Sequence, residues 1–176
     1  MIYRKLFFAI KPASPQLEQL TQLQRQCDGF GRPLPQQNLH MTLYFIGPVE
    51  QSKQSLLISA INSTQWPAFH VCFNHLELWP KQRILCLTSG KVAPNLQRVT
   101  KQLYEIGAQL GLPAPHYDFN PHITLLRKAH CKPELKTNLC ELVMTAVELL
   151  LYESVSEGHG VSYRVLNKWP LLNDLT

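Results

Sequence analysis

A tetrapeptide that occurs twice constrains this chain more than any other feature: His-apolar-Thr-Leu, as HMTL from His40 and as HITL from His122. Each copy follows a loop containing Pro and Asn and enters an apolar run, NLHMTLYFIG in the first case and PHITLLRK in the second. Of the seven histidines in the chain, only these two have Ser or Thr two positions later. One H-x-T arises easily by accident, whereas two copies that agree through Leu in equivalent settings are a signal. Residues two apart on a strand share a face, which predicts His40, Thr42 and Tyr44 on one side and Met41, Leu43 and Phe45 on the other, as core. The same parity joins His122 to Thr124. It sends Arg127 to the opposite face unless the strand ends, twists or bulges after Leu126. The repetition implies a duplicated strand-helix unit, hence two lobes related by a pseudo-twofold axis with their polar faces opposed across a cleft.

The rest of the chain reads as alternating elements. Residues 3 to 10 are a predicted strand. A helix follows from a Ser14 cap, with Pro15 at the first helical position and Leu17, Leu20 and Leu23 at helical spacing. The spacing predicts a second helix over residues 50 to 62. FHVCFNHLELWP and RILCLTS read as two strands joined by a turn near Pro80 and Lys81. A third helix is predicted from Asn95 to Leu110, with the stripe Leu96, Val99, Leu103, Ile106 and Leu110, ended by Gly111. After PHITLLRK comes a polar, irregular segment to about Leu139. ELVMTAVELLLYES and VSYRVLNKWPL then read as strands with Gly158 and Gly160 in the turn between them. Successive strands joined by short turns imply antiparallel pairing, so the predicted class is α+β, one domain over residues 1–176 formed of two lobes.

Composition narrows the setting. A hydrophobic fraction of 45% with 16% charge is that of a folded domain rather than a disordered chain. The net charge of +5 modestly favours an anionic partner such as RNA, a nucleotide or a phosphate ester. The five cysteines are odd in number and contain no C-x-x-C pair, which argues against a disulfide framework and a zinc ribbon and for free thiols in a cytoplasmic protein. The basic and apolar start, MIYRKLFFAI, runs into Lys11 and Pro12 without a small-residue cleavage site, so a first strand is expected there rather than a signal peptide. No apolar run approaches 18 residues, and no membrane span is predicted.

Two facing histidines suit displacement at phosphorus, which needs a base on the entering oxygen and an acid on the leaving one. Imidazole serves either role near neutral pH. Thr42 and Thr124 can donate hydrogen bonds to nonbridging phosphate oxygens, and Arg127 can add charge stabilisation if the strand turns it into the cleft. A zinc site drawn from His40, His122, His70, His75, His130 and Cys131 fits poorly, because no acidic residue or second His stands at ligand spacing beside either motif. No metal and no cofactor is expected. Asp118 and Glu105 read as surface charges.

With both motifs placed, the chain resembles the 2H phosphoesterase superfamily, and closely its bacterial LigT-like branch of RNA 2',3'-cyclic phosphodiesterases. RKLFFAI is similar to that branch's opening strand, NLHMTLYFIG and PHITLLR to its two signatures, and LYES with YRVLNKWPL to its closing strands. The resemblance implies two lobes of antiparallel sheet with outer helices around a central cleft. It also implies metal-independent opening of a terminal 2',3'-cyclic phosphate to a 2'-phosphate, and in some members reversible 2'-5' joining of RNA ends. Residue by residue it assigns catalysis to His40 and His122 and phosphate binding to Thr42, Thr124 and Arg127. The implied partners are RNA with a 2',3'-cyclic phosphate terminus, with tRNA fragments and cyclic nucleotides as open choices; the chain itself is expected to be a cytoplasmic monomer. The expected mechanism has His122 activating water and His40 protonating the departing 3' oxygen, with the reverse assignment equally compatible with the motifs. Tyr44 and Phe119 are the candidates for contact with a base. The rivals are a 2'-5' RNA ligase using the same residues in reverse and a noncatalytic RNA-end or nucleotide-binding module.

Overall fold

The computed structural model describes residues 3–135, 139–158 and 160–173. Its elements run β1 (Tyr3–Ile10), α1 (Ser14–Gln26), β2 (Arg32–Pro33), a 3₁₀ turn (Gln36–Asn38), β3 (Met41–Glu50), α2 (Gln51–Asn62), β4 (Phe69–Phe73), β5 (His75–Trp79) and β6 (Ile84–Thr88). Then follow α3 (Pro94–Gln109), β7 (His122–Arg127), β8 (Leu142–Ala146), β9 (Glu148–Glu157) and β10 (Gly160–Pro170). One eight-stranded sheet has the order β10-β9-β1-β3-β7-β6-β5, with β2 added beside β7, and β4 pairs with β8 in a separate ribbon. The named strand pairs are antiparallel, and with three helices on the core side the class is α+β.

Alternation along β1 divides the sheet's two faces. Leu6, Phe8 and Ile10 join the main core under the helices, whereas Phe7 and Ala9 belong to a small cluster with Leu150 and Tyr152 on the other face. The helices form where the apolar spacing demands. In α3, Leu96, Val99 and Leu103 are fully buried, and the chain leaves the helix at Gly111 with φ +63°, a conformation that suits glycine. In α1 the expected Ser14 cap is corrected: Ala13 is the capping residue, Ser14 begins the helix, and no side chain caps it.

Two predicted strands are each broken in two. FHVCFNHLELWP divides at Asn74 and ELVMTAVELLLYES at Val147, because their first halves, β4 and β8, pair with each other while β5 and β9 stay in the main sheet. Gly158 lies in the last turn, and Gly160 is already the first residue of β10. The described residues between Arg127 and Leu139 form no helix or strand, as expected, and 136–138 lie outside the described residues.

The centre of the sheet is where the two motifs meet. β3 and β7 touch through one register pair, Met41 opposite Ile123, the apolar residues inside the two H-x-T patterns. Each motif Leu is then a β-bulge. Thr42 faces Ala9 and Tyr44 faces Phe8, which leaves Leu43 extra; Thr124 faces Cys86 and Leu126 faces Leu85, which leaves Leu125 extra. A bulge frees backbone groups from the ladder, and both carbonyls are met from the helices. Tyr104 on α3 donates its hydroxyl to the Leu43 carbonyl at 3.0 Å, and Gln24 on α1 donates its amide to the Leu125 carbonyl at 2.9 Å.

The bulges reverse the strand parity expected from sequence. Tyr44 turns into the core, 2% exposed, with its hydroxyl donating to the Pro113 carbonyl at 2.7 Å. Phe45, expected in the core, faces outward at 62% exposure on the side of Phe7 and Thr42. Gly107 on α3 makes room for Tyr44, since a Cβ there would collide with the Tyr44 ring and hydroxyl. Gly107→Ala is therefore expected to destabilise the fold by about 1–3 kcal/mol despite alanine's better helix propensity. A urea-unfolding midpoint unchanged from the natural sequence would contradict this packing.

Candidate active site

His40 stands immediately before β3 and His122 opens β7, so the central seam places the two rings at one cleft. Each ring is held the same way. Nδ1–H of His40 donates to the Asn38 carbonyl at 2.7 Å, and Nδ1–H of His122 donates to the Asn120 carbonyl at 2.8 Å. Since a carbonyl can only accept, both Nδ1 atoms carry hydrogen, and each neutral ring presents its Nε2 lone pair for chemistry. At His40 the Thr42 hydroxyl lies 3.0 Å from Nε2.

The cleft encloses about 270 Å³, and its lining includes His40, Thr42, His122, Thr124, Arg127 and Phe45. All five sequence-predicted site residues therefore come together. Arg127 reaches the cleft because the Leu125 bulge, before Leu126 rather than after it, returns it to the face of Thr124: Arg127 pairs with Ile84 as Thr124 pairs with Cys86, two residues apart on β6. Lys128, at φ +53°, turns the chain away directly afterwards.

The surroundings of the two histidines differ. His40 sits among rings, with the Phe7 centroid 5.1 Å away and Tyr163 edge-on at 5.0 Å. His122 lies 4.5 Å from the Trp79 ring, whose indole N–H donates to Glu77 at 3.0 Å. Burial is the main force lowering both pKa values. His40 falls from 6.5 to about 4, opposed by the Asn38 hydrogen bond and helped by the positive charges of His122 and Arg127. His122 is also lowered, but the Asn120 hydrogen bond and the Glu77 carboxylate work against the shift. Behind Thr124, at 3.8 Å from its hydroxyl, burial pushes the Cys86 thiol up to about 12, so it remains an inert neutral group.

Two pH dependences follow. The free enzyme holds both rings neutral at pH 7, so kcat/KM is expected to be bell-shaped with both limbs below 6.5: no base remains when both rings are charged, and no acid when both are neutral. A bound phosphate anion favours imidazolium, so the limbs of kcat are expected at higher pH than those of kcat/KM. Stability carries the same sign. Because folding lowers the His40 pKa, the unfolded chain binds its proton more tightly, and on the order of 3 kcal/mol is lost as pH falls from above 6.5 to below about 4. Urea unfolding of His40→Gln at the two pH values is expected to show a smaller loss than the natural sequence.

Several residues of the cleft were not singled out from sequence. Phe7 and Tyr163 come from strands distant in the chain, Gln82 and Ser154 add polar groups to the lining, and Trp79 stands against the His122 ring. The Asn at the second position before each His was a readable signal, since NLHMTL and NPHITL share N-x-H-x-T-L. The expected ring candidates are corrected: Tyr44 is in the core and Phe119 packs against it, while Phe45 occupies the cleft. His70 instead pairs with Thr145 at 2.9 Å and His130 stacks on Phe30. Among the described residues no three His, Cys, Asp or Glu side chains are grouped as metal ligands. Glu105 is a surface charge paired with Lys101 at 3.8 Å.

Comparison with known proteins gives this geometry a family. The description of the 2'-5' RNA ligase superfamily matches residues 11–153, which include both motifs and the bulged strands. The chain belongs to the 2'-5' RNA ligase superfamily. An RNA 2',3'-cyclic phosphodiesterase of Escherichia coli (strain K12) is 27% identical over 172 residues, covering 96% of this chain and 97% of that protein. A second RNA 2',3'-cyclic phosphodiesterase, from Aeropyrum pernix, is 27% identical over 94 residues, 52% of this chain and 53% of that one. Among solved structures, E. coli LigT complexed with 3'-AMP superposes with a TM-score of 0.85 at 27% identity, covering 97% of this chain and 99% of that one. The superfamily assignment agrees with the sequence resemblance, and no helix among the described residues is long and apolar enough to cross a membrane.

Proposed function

We propose that this chain is an RNA 2',3'-cyclic phosphodiesterase that opens a terminal cyclic phosphate to a 2'-phosphate by paired histidine acid/base catalysis. The observation that carries it is the matched pair of imidazoles, each fixed through Nδ1 to the carbonyl two residues earlier, in one cleft with two threonines and an arginine. Neutral His122 takes a proton from water attacking phosphorus, His40 gives a proton to the departing 3' oxygen, and Thr42, Thr124 and Arg127 hold the phosphate oxygens. Burial is the main force against protonation of His40 and the Arg127 charge adds to it, so an anion bound beside Arg127 favours the imidazolium and prepares His40 as the acid. Catalysis then starts from two neutral rings, and His40 takes its proton from solvent as the anion binds. Names of the similar proteins support the substrate class, and the nucleotide in the LigT structure supports a nucleotide-sized ligand.

We also read the chain as a single domain of two duplicated lobes, supported by the pairing of Met41 with Ile123 and by the equivalent bulges at Leu43 and Leu125. One chain supplies both histidines, so a monomer suffices, and five free cysteines suit a cytoplasmic setting. The same groups join RNA ends through a 2'-5' linkage when a 5' ribose hydroxyl replaces water as the nucleophile and the 3' oxygen leaves, a second reading favoured by the superfamily's name.

The test is incubation with a short RNA ending in a 2',3'-cyclic phosphate, with and without chelator, followed by identification of the terminus. A 2'-phosphate formed equally in both is expected. A 3'-phosphate would overturn the docking orientation, dependence on added metal would overturn the two-histidine scheme, and binding without turnover would favour the noncatalytic module. Adding an RNA with a free 5' hydroxyl measures joining in the same assay.

A further inference from the structure

The cleft does not end at Arg127. A groove of about 440 Å³ continues from it between β2, the 3₁₀ turn and the start of β10, sharing Leu34, Arg127 and Tyr163 with the cleft. It brings a second cation to the site. Arg32 on β2 is the register partner of Arg127 on β7, so the two arginines leave the sheet on one face, both exposed and both lining the groove. Like charges directly opposite on paired strands destabilise the pair. The ion pairs among the described residues are Arg4 with Glu153, Lys101 with Glu105 and Lys168 with Glu148, and no acidic side chain among the described residues lines groove or cleft.

The local structure holds this arrangement in place. Gly31 lets β2 approach β7 closely, since a Cβ there would lie 2.9 Å from the Arg127 carbonyl oxygen. The Leu34 amide donates to the bulged Leu125 carbonyl at 3.0 Å, and the Gln24 amide binds the Leu34 and Leu125 carbonyls together. On the far wall, Asn38 donates to the Val161 carbonyl at 2.9 Å and ties β10 to the turn that precedes His40. The result is a braced channel that leads away from the catalytic pair and presents two arginines from adjacent strands, a fit for an anion that extends past the reacting phosphate.

We propose that this groove seats the nucleotide on the 5' side of the cyclic end, with Arg32 binding the phosphodiester that joins it to the terminal nucleotide. The proposal rests on the RNA-end function above and deepens it: the substrate is an oligoribonucleotide strand rather than a free cyclic mononucleotide. Arg127 serves the reacting phosphate, and Arg32 serves its neighbour. A volume of about 440 Å³ is within the range of small-ligand sites and admits one such unit.

The experiment compares kcat/KM for a nucleoside 2',3'-cyclic monophosphate and for a short RNA ending in the same cyclic nucleotide, using the full chain and its Arg32→Gln and Arg32→Lys variants. The natural sequence is expected to favour the RNA by about tenfold or more, the scale of one charge-assisted contact. Arg32→Gln is expected to remove most of that preference and to flatten the salt dependence of RNA turnover by about one phosphate contact, while Arg32→Lys retains part of both. An RNA carrying an uncharged methylphosphonate at the neighbouring linkage is expected to lose the preference with the natural sequence. Hydrolysis of both substrates with equal kcat/KM, or an equal fall for both in Arg32→Gln, overturns the groove proposal and leaves the phosphodiesterase intact. Failure to hydrolyse either substrate overturns the phosphodiesterase reading, and the groove with it.

Discussion

Replacing His122 or His40 by alanine is expected to lower kcat by about 10²–10⁴-fold, the usual contribution of a positioned acid or base. The double variant is expected to lose much less than the product of the single losses, because one proton-transfer system fails whichever member is removed. Neither substitution should unfold the chain, since both rings stand at the cleft rather than in the main core. The two variants separate when the substrate is changed. A cyclic phosphate with sulfur at the 3' bridging position leaves as a thiolate and needs no acid, so it is expected to restore much of the rate to His40→Ala and little to His122→Ala. Rescue of His122→Ala instead would reverse the roles. Single-turnover rates for both substrates decide it, and a near-normal rate in either alanine variant on the oxygen substrate would remove that histidine from the chemistry.

Sequence periodicity exposed the two ends of this mechanism but not the space between them. His40, Thr42, His122 and Thr124 were legible because their spacing repeats, and β-strand parity holds over the two steps from His to Thr. Beyond Thr, parity fails. Leu43 and Leu125 look like ordinary strand residues, yet each bulged carbonyl accepts from a helix on the far side, Tyr104 from α3 and Gln24 from α1, and the Leu125 carbonyl also accepts from the Leu34 amide. The helix donors lie 61 and 101 residues from the carbonyls they satisfy, so no local pattern announces them. The consequence is specific: Tyr44 and Phe45 exchange faces, and Arg127 arrives at the cleft. The breaks at Asn74 and Val147 were hidden for a related reason, since both sides of each break are strand-forming and only the choice of partner differs. Helix positions were easier, because α3 carries its apolar stripe in local sequence whatever it packs against.

Arg127→Met is expected to lower kcat by about 10²–10³-fold, the scale of losing one donor aimed at transition-state charge. A structural contribution cannot mimic the accompanying change in pH dependence. Burial is the main cause that lowers the His40 pKa and the Arg127 charge adds to it, so removing Arg127 is expected to raise that pKa slightly and to move the associated limb of kcat/KM a little to higher pH. The sign is fixed by repulsion between two cations: without Arg127, His40 holds its proton more easily in the empty cleft. The rate therefore falls while the acid becomes more available, which separates loss of phosphate stabilisation from loss of acid catalysis. Arg127→Lys should preserve the pH limb, because the charge remains, yet recover only part of the rate, because an ammonium lacks the planar fork that meets two phosphate oxygens at once. A variant that lost activity with an unmoved pH profile would place Arg127 too far from His40 for the coupling described, and the bulge at Leu125 would then serve the strand rather than the site.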